Sequence, residues 1–119
     1  MNTYEQLTGR WLRDGALLST GYSGHGAGLN NPAMQNVEGV GPIPRGRYTI
    51  GPARDDAHLG PLVMRLIPDP GNQMFDRSAF DLHGDNPQMN HTASDGCIIM
   101  GHDLRAIIAI GTDRALTVV

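Results

Sequence analysis

"DLHGDNPQMNHTASDGCIIM", residues 81–100, joins the end of one predicted strand to an apolar run through a polar loop. We predict a short strand over Ala79–Leu82 that ends at His83. The run from Cys97 to Met100 is β-branched and apolar, which suits a strand or a buried turn. The stretch therefore predicts a β-rich fold in which a polar loop returns from His83 toward Cys97, the only cysteine of the chain.

The rest of the chain has the composition of a protein built from short strands and long loops. Its 16 glycines and 8 prolines are spread along the sequence, and both residue types interrupt helices. Ser23–Pro44 is dense in Gly, Asn and Pro, and a loop of that length is usually functional or carries a short element. Further strands are predicted at Thr3–Leu7, Trp11–Leu12, Ala16–Tyr22, Arg47–Ile50, Pro61–Ile67 and Ala115–Val119.

One segment, Asp103–Ile110, has helical spacing. Asp103 is its predicted N-cap, and Gly111 follows its C-terminal end. The predicted fold class is therefore mainly β, a small sandwich or barrel with one or two short helices. Residues 1–119 are expected to form a single domain, because the chain is long enough for one modest core.

Composition excludes several functional classes. A net charge of −3 provides no basic surface for nucleic acid. A single cysteine forbids an internal disulfide, and no apolar run approaches the length of a transmembrane segment. The first residues lack the basic and apolar regions of a signal peptide, so we expect synthesis in the cytoplasm without export by the general secretion route.

Cys97 has three interpretations: an inert buried thiol, a metal ligand or a nucleophile. The apolar neighbours that follow it suit the first, since a lone cysteine often packs as a small hydrophobe. Gly96 lets backbone approach closely, as an oxyanion pocket requires, while Ser94 and Asp95 supply polar groups that a structural cysteine does not need. His83 is the candidate base that activates the thiol.

The metal interpretation uses a wider set of residues and has weaker support. No pair among them shows the close Cys-x₂-Cys or His-x₃-His spacing of a zinc site. The candidate ligands are His83, Asp85, His91, Asp95, Cys97 and His102.

Two motifs resemble the YkuD-type L,D-transpeptidases. His83-Gly84 followed by Ser94–Cys97 resembles that family's His-Gly, spacer and Ser/Thr-His-Gly-Cys. "GPIPRGRYTIG", residues 41–51, resembles its Thr-Pro-x-Gly-x-Phe/Tyr segment at the start of a strand. The resemblance implies an L,D-transpeptidase-like β-sandwich or barrel, and the two motifs in this order are more specific than either alone.

A closer resemblance covers nearly the whole chain. Three segments are similar to the Tlde group, small L,D-transpeptidase-related toxins delivered by type VI secretion. They are "GYSGHGAGLNNPAMQNVEGVGPIPRGRYTIGP", residues 21–52, "PDPGNQMFDRSAFDLHGDN", residues 68–86, and "SDGCIIM", residues 94–100. It implies action in the periplasm of a rival bacterium on peptidoglycan stem tetrapeptides. Those toxins cut the L,D bond or exchange the terminal D-alanine. The resemblance implies two partners, a neutralising immunity protein and a type VI secretion component. It implies no metal or organic cofactor.

The resemblance assigns roles within the tetrad. Cys97 takes the nucleophile position and His83 the general-base position. Gly96 falls in the oxyanion turn, and Ser94 orders that turn. Asp95 stands where the broad family has His.

The residue that anchors the substrate carboxylate is not assigned by the resemblance. The family has Arg or Asn two positions after the cysteine, where this chain has Ile99. Arg45, Arg47 and Arg77 are the alternatives, with Arg45 placed among the substrate-binding residues.

Four further residues are candidates for the substrate-binding groove. His91 in the polar loop, His25 between two glycines, and Tyr22 are assigned to substrate binding together with Asp95. The first three also have structural alternatives: a solvent-exposed loop histidine, a turn residue and a core tyrosine. Asp85 either orients His83 or caps the Asn86-Pro87 turn.

The sequence thus favours a β-rich cysteine enzyme, an L,D-carboxypeptidase or L,D-transpeptidase. An NlpC/P60-like or papain-like peptidase is the rival enzyme, although those place the cysteine before the histidine and usually at a helix start. A non-catalytic cell-wall-binding module of a phage or secretion apparatus is the rival without catalysis.

Overall fold

A computed structural model describes all residues from Met1 to Val119. Nine strands and one α-helix are present. The strands are β1 (Asn2–Tyr4), β2 (Arg10–Arg13), β3 (Ala16–Thr20), β4 (Tyr22–Ser23), β5 (Gly46–Asp56), β6 (Gly60–Pro68), β7 (Phe80–His83), β8 (Ile98–Ile99) and β9 (Ala115–Val118). The mainly β class with a minor helix is confirmed.

All the strands join one mixed sheet with the order β3-β2-β1-β9-β5-β6-β7-β8-β4. Most neighbours are antiparallel, but β1 pairs with β9 and β7 pairs with β8 in parallel. The sheet bends around one side, because strands near both of its edges supply side chains to the same core. Trp11 of β2 and Ile98 of β8 belong to one cluster of 15 buried residues.

The central hairpin is longer than the sequence predicted. β5 extends beyond Ile50 because its register shifts between Ile50 and Ala53, which accommodates Gly51 and Pro52 as an irregularity within the strand. The Asp56 carboxylate then accepts the N–H groups of His58 and Leu59, at 2.8 and 2.9 Å, and closes the turn to β6.

The helix α1 (His102–Ile110) confirms the predicted element with a different cap. The N-cap is Gly101, which has no capping side chain, so the assignment of Asp103 as N-cap is wrong. Asp103 lies in the first turn, where a negative charge is favourable beside the helix dipole. Leu104 and Ile108 of the helix pack into the core. No helix of the protein is both long and apolar enough to cross a membrane.

The predicted long loop, residues 23–44, carries two 3₁₀ turns, Gly26–Gly28 and Pro32–Met34. It ends with Pro44, whose carbonyl accepts the buried Tyr48 hydroxyl at 2.7 Å. The loop lies against the segment before β8, since the Ser23 hydroxyl donates to the Gly96 carbonyl at 2.9 Å. This contact places the loop beside the residues that resemble a catalytic tetrad.

Candidate active site

The parallel pairing of β7 with β8 places Cys97 beside Asp81. Leu82 pairs with Ile98 and His83 pairs with Ile99, so Cys97, immediately before β8, lies next to Asp81 of β7. The Asp81 N–H donates to the Cys97 sulfur at 3.3 Å. Alternate residues of a strand share a face, so Asp81 and His83 lie together on the face opposite the core residue Leu82.

The His83 ring is buried and held by its own chain. Its Nδ1 lies 2.8 Å from the Gly84 carbonyl, and because a carbonyl can only accept, Nδ1 carries the proton. In the neutral ring Nε2 is therefore the free acceptor that a general base requires. His83 and Cys97 form no hydrogen bond with each other in this structure, although Cys97 immediately precedes β8, the strand next to His83, and lies on the same face of the sheet.

Burial keeps both side chains uncharged near neutral pH. It lowers the pKa of His83 from its ordinary value of 6.5, against the smaller opposing effects of the Gly84 carbonyl and the Asp81 charge. Burial also raises the pKa of Cys97 to about 11, against the smaller effect of the Asp81 N–H. The thiol is thus protonated at neutral pH, and it requires a base to become a nucleophile.

The Ser94 hydroxyl organises the turn before Cys97. It is fully buried, donates to the Cys97 carbonyl at 2.5 Å, and accepts the N–H groups of Gly96 at 3.1 Å and Gly24 at 2.9 Å. One hydroxyl therefore binds three backbone groups and connects the tetrad to the loop before the first 3₁₀ turn.

Gly96 fits this turn for two reasons. Its φ of +137° is rare for other residues, and an added Cβ would lie 2.5 Å from Arg77 Nη2 and 2.7 Å from the Phe80 ring. Its N–H is occupied by Ser94, so it is not a free oxyanion donor. The N–H of Cys97 has no partner in the structure and is the free donor of the turn.

Arg77 is a structural residue rather than an open carboxylate anchor. Its buried guanidinium donates to four carbonyls, those of Gln35, Gly41, Pro42 and Asp95, at 2.6 to 3.1 Å. These bonds connect the long loop to the tetrad turn.

His25 contacts the same turn from the side of the loop. Its Nδ1 donates to the Ser94 carbonyl at 2.8 Å and lies 3.5 Å from a carboxylate oxygen of Asp95. The Asp95 side chain is 82% exposed and lines, with Cys97, a cavity of about 220 Å³. The structure therefore brings His25 and Asp95 to the candidate site.

Tyr22 and His91 line a different cavity of about 450 Å³, which shares no lining residue with the Cys97 cavity. Their rings meet edge to face at 4.9 Å. The Tyr22 hydroxyl donates to Asp85 at 2.7 Å and accepts the Ala93 N–H at 3.1 Å, which fastens the polar loop. Asp85 thus contacts Tyr22 and forms no hydrogen bond with His83. His83 lines a third cavity, of about 360 Å³.

Arg45 is not brought to Cys97. It lines a separate groove with Glu5, Leu7 and Arg10, and its N–H donates to Gln35 at 3.0 Å. Arg47 pairs with Thr117 of β9, and its backbone contacts Asn72. None of the three arginines is therefore an open carboxylate anchor at the tetrad turn, because Arg77, which contacts it, is already bound to four carbonyls.

Two arginines that the sequence motifs did not single out lie on the face that carries Cys97 and His83. Arg65 Nε lies 2.8 Å and Arg54 Nη2 lies 3.4 Å from the same oxygen of Asp81. Both arginines lie on the long hairpin, far from the tetrad in sequence. Alternation along β6 was the available signal, because Arg65 separates the core residues Met64 and Leu66.

No three of the His, Cys, Asp and Glu side chains come together as a metal site. The site is thus a cysteine beside an unpaired N–H, with a buried neutral histidine on the adjacent strand.

A family model described as the Tlde1 domain matches residues 18–117. The match covers most of the chain, so the chain belongs to this family of type VI secretion effectors related to L,D-transpeptidases, and the resemblance seen in the sequence is confirmed. Membership indicates a type VI effector that acts on the bacterial cell wall. No curated protein and no solved structure matches the chain significantly.

Proposed function

We propose that this protein is a cysteine-dependent L,D-carboxypeptidase, L,D-transpeptidase or both, acting on peptidoglycan stem tetrapeptides. Cys97 is the nucleophile and His83 the general base. The substrate carbonyl belongs to the diamino acid that precedes the terminal D-alanine. Two products are expected: a tripeptide when water accepts the acyl group, and an exchanged tetrapeptide when another D-amino acid accepts it.

The proposed reaction begins with proton transfer from the Cys97 thiol to His83 Nε2 as sulfur attacks the carbonyl carbon. The carbonyl oxygen becomes negative and is stabilised by the unpaired Cys97 N–H. The C–N bond to D-alanine then breaks, and the proton on Nε2 passes to the leaving amine. The resulting thioester reacts with water or with the amine of a D-amino acid, and the thiol is restored.

One observation carries the proposal: β7 pairs with β8, so His83 lies on the strand next to the one that Cys97 immediately precedes, on the same face of the sheet. The Gly84 carbonyl supports it, because it fixes the tautomer in which Nε2 can accept a proton. Hydrogen bonds between a catalytic base and its nucleophile are often long before substrate binds. We therefore expect the His83 and Cys97 side chains to approach each other when substrate binds.

A cell-wall-binding module without catalysis is the second candidate, and two observations favour it. The pKa of Cys97 is raised to about 11 by burial, and no hydrogen bond joins its thiol to His83. The NlpC/P60-like alternative has no such support, because His83 precedes Cys97 and the cysteine leads into β8 rather than a helix.

Family membership suggests where the protein would act. We propose delivery by the type VI apparatus into the periplasm of a target bacterium, where stem peptides are accessible. An immunity protein of the producing cell is the expected protective partner.

Incubation with purified muropeptides, followed by mass spectrometry, tests this function. We expect the wild-type protein to convert tetrapeptides to tripeptides, and to incorporate glycine or a D-amino acid added in excess. Cys97→Ala should abolish both products, while Ser78→Ala, at an exposed residue of the same cavity, should retain them. Cell-wall binding without any product would identify the binding module.

A further inference from the structure

Arg65 and Asp81 lie in one cross-strand row with Cys97. Arg65 of β6 pairs directly with Asp81 of β7, and Asp81 is the neighbour of Cys97. Directly paired residues present their side chains to the same face of a sheet, so the row continues from the arginine to the thiol. Arg54 of β5 reaches this face as well, through its contact with Asp81.

The charges in the row leave one guanidinium incompletely bound. Asp81 is nearly buried, and a single oxygen of its carboxylate contacts both arginines, at 2.8 and 3.4 Å. Arg54 has a second acid partner, Asp56, at 3.7 Å, whereas Arg65 has none. Only Nε of Arg65 is hydrogen bonded, so its two terminal nitrogens are free, and its side chain is 49% exposed.

We propose that Arg65 binds the carboxylate of the D-amino acid that follows the scissile bond, with Asp81 positioning its guanidinium. The proposal rests on the proposed function and names the residue that recognises the end of its substrate. A guanidinium held through Nε presents its terminal nitrogens to a carboxylate, which is the geometry of paired hydrogen bonds.

The dimensions of the row suit this role. In a tetrapeptide the terminal carboxylate carbon lies three bonds from the scissile carbonyl carbon, roughly 4 Å away. Asp81 bridges a comparable span, because its N–H contacts the sulfur of Cys97 and its carboxylate contacts Arg65. A carbonyl placed on the sulfur therefore brings the carboxylate of the next residue toward the free nitrogens of Arg65.

The effect of the Arg65 charge on the Cys97 thiol agrees with the short distance between them. Burial dominates the raised pKa of Cys97, and the charge of Arg65 opposes it. The other arginines considered do not compete for the role: Arg77 is occupied by four carbonyls and Arg45 lines a different groove.

The test compares two synthetic tetrapeptides, one ending in D-alanine and one in D-alaninamide, with wild-type protein and Arg65→Gln. Wild type should prefer the free carboxylate. In Arg65→Gln we expect kcat/KM for the carboxylate peptide to fall about 10-fold to 100-fold, as for loss of a charged hydrogen bond, with the amide peptide unchanged. Arg10→Gln is the matched control, since it removes an Nε–carboxylate contact of the same 2.8 Å length at an arginine 46% exposed, on β2.

A binding measurement separates this inference from the proposed function. Calorimetry with the Cys97→Ala protein should show the same preference for the carboxylate peptide, and adding Arg65→Gln should remove it. If wild type cleaves neither peptide, the proposed function fails, and the binding data alone decide the role of Arg65. Equal losses for both peptides, an undiminished carboxylate preference without Arg65, or no binding of either peptide would overturn the inference.

Discussion

Removing the Ser94 hydroxyl should destabilise the protein and disable its tetrad turn. Ser94→Ala leaves three backbone groups without their partner: the N–H groups of Gly24 and Gly96 and the carbonyl of Cys97. Ser94 is fully buried, so water cannot readily replace the hydroxyl. At about 1 kcal/mol for each unsatisfied group, the low end of the usual range, the expected loss in the free energy of unfolding is about 3 kcal/mol.

That loss is a large fraction of the stability of a small domain, which is about 5–15 kcal/mol. It corresponds to a fall in Tm of about 10 °C for a chain of this size. Urea unfolding monitored through the buried Trp11 measures it directly. Ser78→Ala is the control, because Ser78 is exposed and its hydroxyl makes no hydrogen bond within the chain. A Ser94→Ala protein within about 0.5 kcal/mol of wild type, the usual range for a surface change, would show that the three backbone groups do not depend on this hydroxyl.

Three further predictions concern the chemistry and the place of action. The rate of Cys97 alkylation should rise with pH to a midpoint near 11, because burial raises the thiol pKa to about 11. A midpoint below 8 would indicate a preformed thiolate instead. His83 must be neutral to accept a proton, and burial lowers its pKa below the ordinary 6.5. We therefore expect kcat/KM to stay constant as the pH falls past 6.5 and to decline only at lower pH. A decline with a midpoint above 6.5 would show that burial does not lower the pKa of His83. Fusion to a cleavable export signal should make the protein toxic in the periplasm, and Cys97→Ala should abolish that toxicity, whereas equal toxicity of the cytoplasmic form in growth assays would indicate another target.

Local sequence signals predicted several elements of the fold correctly. Turn residues and β-branched runs placed the first hairpin, β6, β7 and β9, because these elements depend on local preferences. The helix was also predicted, but its cap was not: Gly101 takes that position without a capping side chain, and nothing local distinguishes it from Asp103. β5 was predicted too short because Gly51 and Pro52 normally interrupt a strand, and here they lie where the register shifts.

The candidate site also combines residues that the local sequence predicts with residues that only long-range contacts place there. The tetrad turn is a local structure, so Ser94, Gly96 and Cys97 were recognisable as a motif. The roles of Arg77 and Arg65 depend on long-range contacts that no spacing encodes. Arg77 reaches carbonyls in the long loop, and Arg65 meets Asp81 only because β6 and β7 pair in one register.

The mass of the intact protein during turnover is the most direct test of Cys97 as the nucleophile. Rapid acid quenching with a tetrapeptide in excess should reveal a covalent adduct on Cys97, equal to the bound tripeptide acyl group after loss of D-alanine. His83→Ala should form this adduct far more slowly, since a general base contributes about 10²–10⁴-fold in rate. Release of D-alanine by a Cys97→Ala protein, with no adduct on the wild type, would show that Cys97 is not the nucleophile.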